Sequence, residues 1–327
     1  MFAEVLEVRR ARICIKTCIF AATLAALLTI PTAAFADVVY SGRCGETTNW
    51  TLDSNNVLTV SGTGSVVKTG YNDGYKAPNN FSVRESGTGS GYLYMQHLAT
   101  SLVVEEGITS IEDGLFKNYR LLESVTLPST LTGIGDDTFK ECRGITSINI
   151  ASNSTIASIG ANAFNTCRAL ASFTVPASVK TIGDGAFEDC MALTQVKVEK
   201  GSALTSIGNS TFAGCSAIAS ADFSAATKLK TVGSNIFPKN LLKVKIAKIT
   251  SGKKKLTVTW NAVPGATRYV VCYKLGSAKK YASVKANSTK TTITKLKKGK
   301  AYKLCVTAYM GGKKLCTSKV KTSGKVK

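Results

Sequence analysis

The sequence predicts a mainly β protein, in which a solenoid of stacked repeats is followed by a β-sandwich. Three observations predict this fold class. Apolar residues recur every 23 or 25 residues in the middle of the chain, apolar alternation of period two begins after Lys243, and the charge changes near residue 241. At 327 residues the chain is long enough for two domains, each with its own core.

The charge distribution marks the boundary between the two parts. Residues 241–327 contain 22 Lys, one Arg and no Asp or Glu, whereas the first 240 residues hold the other 19 basic residues and all 20 acids. The formal net charge of +22 therefore belongs to the C-terminal part, which we predict to be a domain over 241–327.

The repeat is defined by one Phe per coil, with Ile or Val five residues before it. The six Phe residues of this column are Phe116, Phe139, Phe164, Phe187, Phe212 and Phe237. Self-similarity at a fixed period predicts a solenoid that is stabilised by contacts between neighbouring coils. We place about six repeats over 93–240.

Within each repeat the pattern L-x-x-V-x-L, as in Leu122, Val125 and Leu127, ends in the alternation of a half-buried strand. The stretch Gly185–Cys190 is compatible with one helical turn, from which Phe points inward and stacks on the next coil. One strand and a short helical turn per repeat are therefore expected. The two-residue difference in repeat length falls between the strand and the Ile, in a wider turn outside the core.

These repeats resemble the BspA-like leucine-rich-repeat family of bacterial surface proteins, as in LASFTVPASVKTIGDGAFEDC over Leu170–Cys190. The segments Cys44-Gly45, Trp50–Asp53 and Leu58–Gly64 resemble the N-terminal capping hairpin of that family, which places a capping region over 37–92. The resemblance covers about residues 40–240. It implies an exported protein and a binding function such as adhesion, without indicating the ligand.

The C-terminal part resembles fibronectin type III modules, which are immunoglobulin-like sandwiches. An early Trp260 follows the alternation Leu256-Thr-Val258, and a late L-x-x-G-x-x-Y corner is formed by Leu296, Gly299 and Tyr302. Such modules often serve as spacers, so this resemblance indicates a fold rather than a function.

The N-terminus predicts a cleaved signal peptide over 1–36. A basic flank from Arg9 to Lys16 precedes an apolar run from Cys18 to Ile30, and Ala34-Phe35-Ala36 offers a small-x-small cleavage site. The alternative, an uncleaved membrane anchor, is disfavoured because the run is shorter than the ~20 residues that span a bilayer. No later segment is apolar enough to span, so no membrane span is expected after cleavage. We therefore expect a secreted, cell-surface protein, held on the wall without a covalent bond.

The outward positions of the predicted strands are candidates for ligand binding. Because parallel strands stack about 4.8 Å apart, these side chains form rows, and their small polar character suits a broad contact with a protein or glycan. The candidates are Ser124, Thr126, Ser147, Asn149, Ser172, Thr174, Gln195, Lys197, Ser220 and Asp222. The alternative is a solvated face without a ligand.

The lysines of the C-terminal part are candidates for binding an anionic polymer, such as the teichoic-acid-like polymers of a cell wall. They fall in predicted turns or strand ends: Lys253, Lys254, Lys255, Lys279, Lys280, Lys297, Lys298, Lys300, Lys313 and Lys314. The alternative is that they only keep the protein soluble. Nucleic acid is not expected as a partner, since no stacking aromatic motif accompanies the lysines.

No catalytic constellation is found, so an enzyme is not expected. The single His97 is more consistent with a structural role, and no metal site or cofactor is predicted. Cysteines recur three residues after the Phe, and we expect them to be small buried residues with free thiols: Cys142, Cys167, Cys190 and Cys215. For Cys272 and Cys305, on neighbouring strands and facing outward, both free thiols and a cross-strand disulfide remain open.

The sequence thus favours an exported binding protein of the adhesin type. Its strand face would contact a host or bacterial surface protein or glycan, and its basic domain would contact a wall polymer. The alternative is a structural wall component, in which the repeats are a scaffold without a specific ligand.

Overall fold

The structure is a computed structural model that describes residues 37–67, 82–84 and 92–327. The predicted signal peptide over 1–36 lies outside these residues. Nearly all regular structure is β, and the described residues contain a single short 3₁₀ helix, Met95–His97. No helix among them is long and apolar enough to cross a membrane.

The N-terminal region forms antiparallel strands that lead into the repeats. Its strands are β1 (Val38–Arg43), β2 (Thr48–Asp53), β3 (Val57–Gly62), β4 (Gly64–Val66), β5 (Ser82–Arg84) and β6 (Tyr92–Tyr94). Strands β1, β2 and β3 pair antiparallel, and β3 then pairs parallel with the first long strand of the repeats. The hairpin β2–β3 therefore covers the first coil, with Trp50, Leu52 and Leu58 buried.

The repeats form a β-solenoid with two kinds of strand. The long strands are β7 (Ser101–Val104), β9 (Ser124–Leu127), β11 (Ser147–Ile150), β13 (Ser172–Val175), β15 (Gln195–Val198) and β17 (Ser220–Asp222). The others are β8 (Ile108–Ile111), β10 (Gly133–Ile134), β12 (Ser158–Ile159), β14 (Thr181–Ile182), β16 (Ser206–Ile207) and β18 (Thr231–Val232). The second strand, which the sequence analysis did not predict, contains the Ile of the repeat.

Two sides of the solenoid are parallel ladders. Strands β10, β12, β14, β16 and β18 form one continuous sheet along the repeats. The long strands form two sheets instead of one: β7, β9 and β11 continue the N-terminal sheet, and β13, β15 and β17 form a separate sheet. The strand face is therefore interrupted between Ser147–Ile150 and Ser172–Val175.

The third side of the solenoid corrects the prediction of a helical turn. Each coil there makes consecutive tight turns, and two of its positions have a left-handed backbone, as in Asp137 (φ 53°) and Glu141 (φ 61°). A right-handed helix excludes such φ values. The backbone amides donate to the next coil instead, for example from Phe139 N to Ala163 O at 2.8 Å and from Phe164 N to Ala186 O at 2.7 Å.

The predicted stack of Phe rings is confirmed. Consecutive rings of the column have centroids 5.2–5.7 Å apart and planes within 18° of parallel. All six rings are buried. Because every ring contacts the rings of the neighbouring coils, the core is continuous along the repeats.

The cysteine column is buried and reduced, as the sequence predicted. Each thiol donates a hydrogen bond to the carbonyl oxygen of the Phe in the preceding coil, from Cys142 to Phe116 at 3.0 Å and from Cys167 to Phe139 at 3.2 Å. Cys190 and Cys215 make the same bond to Phe164 and Phe187. The cysteines are therefore weak donors that bond to backbone carbonyls between coils, in addition to filling space.

The C-terminal part contains two antiparallel sheets around a second buried cluster, which includes Trp260, Val271 and Leu304. One sheet has the order β19 (Ile246–Gly252), β20 (Lys255–Trp260) and β23 (Lys290–Ile293). The other has the order β22 (Ala282–Ala286), β21 (Arg268–Leu275), β24 (Tyr302–Met310) and β25 (Lys313–Thr317), with β26 (Lys321–Thr322) paired to β24.

The C-terminal part packs against the last coil of the solenoid. Met310 is fully buried within the hydrophobic cluster of the repeats rather than in that of its own sheets. Gly265 N donates to Ala221 O at 2.9 Å, and a β-carbon on Gly265 would lie 2.4 Å from Cε2 of Phe237. The C-terminal part therefore covers the end of the Phe stack.

Candidate functional site

The strand face presents the predicted polar side chains to solvent. Nine of the ten candidates are exposed, while Ser124 is half-buried and donates a hydrogen bond to Ser101 Oγ at 2.9 Å. The parallel registers place them in rows, such as Ser172 beside Gln195 and Gln195 beside Ser220. The exposed candidates are Thr126, Ser147, Asn149, Ser172, Thr174, Gln195, Lys197, Ser220 and Asp222.

The interruption of this face forms a cleft, which we call the β11–β13 cleft. Its volume is about 260 Å³, and it is lined by Thr146–Ala151 from one coil, Ser172–Thr174 and Pro176 from the next, and Glu199. Ile148 and Ile150 are partly exposed there, whereas the corresponding Val196 and Val198 of a continuous part of the sheet are buried. The sequence predicts a broad contact along the strand face and gives no indication of this cleft.

Phe173 distinguishes β13, the strand at this break, from the other long strands. It occupies the position that holds Val125, Ile148, Val196 and Ala221 in the other long strands. Its ring lies 5.6 Å from that of Phe164 and 4.7 Å from that of Phe187, inside the stack. An aromatic ring needs more room than a β-branched side chain, and closely packed interiors yield by moving backbone.

Two carboxylates near the strand face are held by hydrogen bonds. Glu106 accepts from the amide and hydroxyl of Ser129 at 2.8 and 2.9 Å, and these bonds lower the pKa of its carboxyl. The pKa of Asp222 is lowered by the hydroxyl and amide of Ser224, which outweigh its partial burial. Both groups are therefore fixed negative charges at neutral pH.

Most of the candidate lysines converge at one end of the C-terminal part. Leu296 N donates to Lys254 O at 3.0 Å, and Gly299 N donates to Val326 O at 2.8 Å, so three turns of the chain meet there. The register of Leu275 with Tyr302 brings a fourth turn alongside. We call this the distal lysine end, defined by Lys253, Lys254, Lys255, Lys279, Lys280, Lys297, Lys298 and Lys300, all of them exposed.

Lys313 and Lys314 lie apart from that cluster. They are at the start of β25, next to the last coil of the solenoid, and the ammonium of Lys313 donates to the carbonyl oxygens of Val232 and Gly233. Lys313 therefore bonds to the solenoid backbone. Of the ten lysines predicted to bind a polyanion, these two are separated from the other eight.

The described residues contain no group of three or more His, Cys, Asp or Glu side chains that would hold a metal. His97 is exposed at the end of the 3₁₀ helix. Cys272 and Cys305 lie directly opposite each other on β21 and β24, half-exposed and as free thiols. Burial is the main reason that the pKa of Cys305 is raised.

Two residues that line the cleft, Phe173 and Glu199, are not among the candidates predicted from the sequence. Phe173 stands at an inward column of the repeat, and it is the only aromatic side chain at that column of the long strands. That difference was the available signal. No feature of the sequence marks Glu199 as a residue of the cleft. Its carboxylate is held there by a tertiary contact, since it accepts a hydrogen bond from Ala177 N at 2.9 Å.

These features define the class of protein, which is a β-solenoid repeat protein with an exposed polar strand face. The family described as BspA type Leucine rich repeat region matches residues 89–201 and 152–258, which together span more than half of the chain. The chain belongs to this family. Among curated proteins, no sequence matches it.

Several solved structures are similar to parts of the chain. A leucine rich cell surface protein from Faecalibacterium prausnitzii is 20% identical over 61% of this chain and 52% of that one, with a TM-score of 0.32. The pneumococcal vaccine antigen PcpA is 20% identical over 62% and 48%, with a TM-score of 0.33. The FN1–FN3 domains of chicken CNTN1 are 20% identical over 26% and 31%, with a TM-score of 0.23. The chain spans about half the length of the two bacterial structures and under a third of the chicken one.

Proposed function

We propose that this chain is an exported surface protein that binds two partners at once. The strand face contacts a protein or glycan of a host or of another bacterium, and the distal lysine end contacts an anionic wall polymer. The observation that carries this proposal is the separation of the two surfaces. The lysine end lies at the opposite end of the C-terminal strands from Gly265 and Met310, which contact the last coil.

The electrostatic half of the proposal is supported by the absence of acids from residues 241–327. Eight lysines from separate turns lie together at the distal lysine end, with no carboxylate side chain in this part of the chain to neutralise them. Such a cluster attracts a polyanion, and the attraction between exposed charges falls as salt rises, since the Debye length is about 8 Å at physiological ionic strength.

We further propose a fibronectin type III-like fold for residues 241–327, with a capping region over 37–92 and the repeats over 93–240. The hydroxyl of Tyr302 accepts a hydrogen bond from Lys297 N at 3.0 Å, five residues upstream. A tyrosine that bonds back to the backbone in this way is typical of immunoglobulin-like sandwiches. Trp260 packs edge-on against Tyr269 in the same buried cluster.

The electrostatic half is tested by the binding of the full chain to cell walls, with and without teichoic acid, over a salt series. We expect the wild-type chain to bind and to be released by salt. The triple variant Lys253→Glu, Lys297→Glu and Lys298→Glu should abolish this binding. The control variant Lys248→Glu, Lys285→Glu and Lys290→Glu carries the same charge change on exposed lysines outside the distal end and should retain most of it. Equal losses in both variants would show that net charge, and not the distal lysine end, governs the binding.

The other half is tested on the strand face. Thr174→Glu together with Lys197→Glu places two negative charges side by side in one row, on adjacent strands, and should reduce attachment of the full chain to the cells it recognises. Lys228→Glu with Thr227→Glu is the matched control, on exposed residues outside the long strands. Retained attachment in the strand-face variant favours the alternative function, a structural wall component without a specific ligand.

A further inference from the structure

We propose that the β11–β13 cleft binds a single pyranose ring of a glycan. This inference rests on the proposed role of the strand face as the ligand-binding surface and narrows it to one place and one chemical class. Among the described strands, no ladder joins Ser147–Ile150 to Ser172–Val175, although the long strands on both sides of this interface are paired.

The size of the cleft limits what can enter. The two coils remain bonded on the other sides of the solenoid, through the register of Ser158 with Thr181 and the bond from Phe164 N to Ala186 O at 2.7 Å. The coils are therefore splayed on one side only, and the cleft measures about 260 Å³. An added strand would need about 4.8 Å on each of its two sides, which coils that stay bonded elsewhere cannot provide.

The chemistry of the cleft matches a sugar ring. Its apolar surface comes from Ile148 and Ile150, which are partly exposed there, within a lining that is polar for the most part. Its rim carries hydroxyl and amide groups, including Ser172 and Asn149, and the carboxylate of Glu199. A pyranose presents apolar C–H groups on its faces and hydroxyl groups around its edge. In small-molecule sites, polar groups at defined positions fix the orientation of the ligand, and the rim of this cleft offers several.

Occupation of the cleft is tested by saturation-transfer-difference NMR of the full chain with D-glucose, D-galactose and N-acetyl-D-glucosamine. We expect transfer to the ring protons of at least one sugar. Ser172→Trp fills the cleft with an indole and should abolish the transfer. Thr181→Trp, on the exposed surface of β14 in the same coil but outside the cleft and outside the strand face, should leave it unchanged. Both positions are exposed, so neither variant disturbs the core.

A third variant, Phe173→Val, removes the aromatic ring that only β13 has at this column and tests whether that ring separates the strands. It should restore the continuous ladder and lose the sugar signal, with the Phe stack still buried. The pyranose ring can belong to a wall polysaccharide or to a glycan of a glycoprotein. Competition against the bound sugar, first with purified wall polysaccharide and then with glycans released from glycoproteins, distinguishes these two sources.

The inference is overturned if none of the three sugars shows transfer, or if the transfer survives Ser172→Trp. The proposed function is judged separately, by attachment of the full chain to cells. If Thr174→Glu with Lys197→Glu reduces attachment while the sugars fail, the strand face binds a ligand and the cleft does not hold a sugar.

Discussion

Gly265 lies against Phe237, the last ring of the stack, so closely that a β-carbon would be 2.4 Å from Cε2 of that ring. Its φ of +73° also belongs to the left-handed region, which side chains other than glycine disfavour. The contact closes the open end of the repeats with residues from the C-terminal part. The two parts of the chain that the charge distribution separates are therefore joined through the core of the solenoid.

The first prediction concerns this contact. Gly265→Val should destabilise the whole chain by about 2–5 kcal/mol, because strain at a left-handed position adds to overpacking against Phe237. Urea unfolding measures the effect. Gly276→Val is the control, since nothing lies within 4 Å of a β-carbon there. Equal stabilities of the two variants would mean that the junction contributes nothing to folding.

The second prediction concerns the Phe stack. Phe164→Ala should cost about 3–5 kcal/mol, because the ring is fully buried between Phe139 and Phe187 and its loss leaves a cavity. Met191→Ala removes a side chain of similar size that is 45% exposed and should cost under about 0.5 kcal/mol. Thermal unfolding of both variants checks the difference. A small loss in Phe164→Ala would indicate that the neighbouring coils collapse into the space.

The third prediction concerns thiol reactivity. Iodoacetamide labelling of the folded chain, followed by peptide mass spectrometry, should modify the half-exposed Cys272, Cys305 and Cys316 first. The column of buried cysteines should react only on unfolding, because alkylation needs a thiolate and burial raises the pKa of Cys142 to about 12. Labelling of Cys142 at the rate of Cys316 would contradict the buried column. The same peptides reveal any Cys272–Cys305 disulfide.

The fourth prediction concerns acid. Asp137 is partly buried, which raises its pKa, but hydrogen bonds from Lys140 and Lys117, each at 3.3 Å, outweigh this and lower the pKa below the usual 3.8. A lowered pKa contributes stability above the unfolded value and loses it as the pH falls through the folded value. Asp137→Asn should thus cost about 0.2–1 kcal/mol at pH 7 and nothing in strong acid.

Thermal melts from pH 7 down to acid compare this variant with wild type. Asp189→Asn is the control, since Asp189 has a similar left-handed φ of 58° and belongs to none of the ion pairs among the described residues. If the loss of stability in Asp137→Asn does not change with pH, the ion pairs of Asp137 are not its cause.

The sequence was sufficient for the features that repeat. Phe, Ile and Cys recur at fixed columns, and a residue that recurs must occupy an equivalent place in each coil. The stack of Phe rings and the reduced state of the buried cysteines could therefore be predicted. The turns were misjudged although a signal was present. Gly114, Asp137, Asn162 and Gly185 share one column, and these residue types favour the left-handed backbone found there.

The features that break the repeat were not predictable in the same way. The β11–β13 cleft lies beside the one long strand with an aromatic residue at this column, and the repeat pattern itself does not say what such an exception does to strand pairing. The distal lysine end depends on strand register, which brings Lys254, Lys298 and Lys280 together from distant parts of the sequence. The polar rows were predicted because they follow directly from alternation along each long strand.

The hydrogen bonds between coils have a mechanical consequence. They run along the direction in which the coils are stacked, so tension along the stack passes through every interface in series and the weakest interface breaks first. Coils would detach in succession instead of breaking together. Each released coil of 23 or 25 residues would add about 75–90 Å of contour length. A protein held at its lysine end and pulled through its repeats would therefore lengthen under load, as an extensible tether.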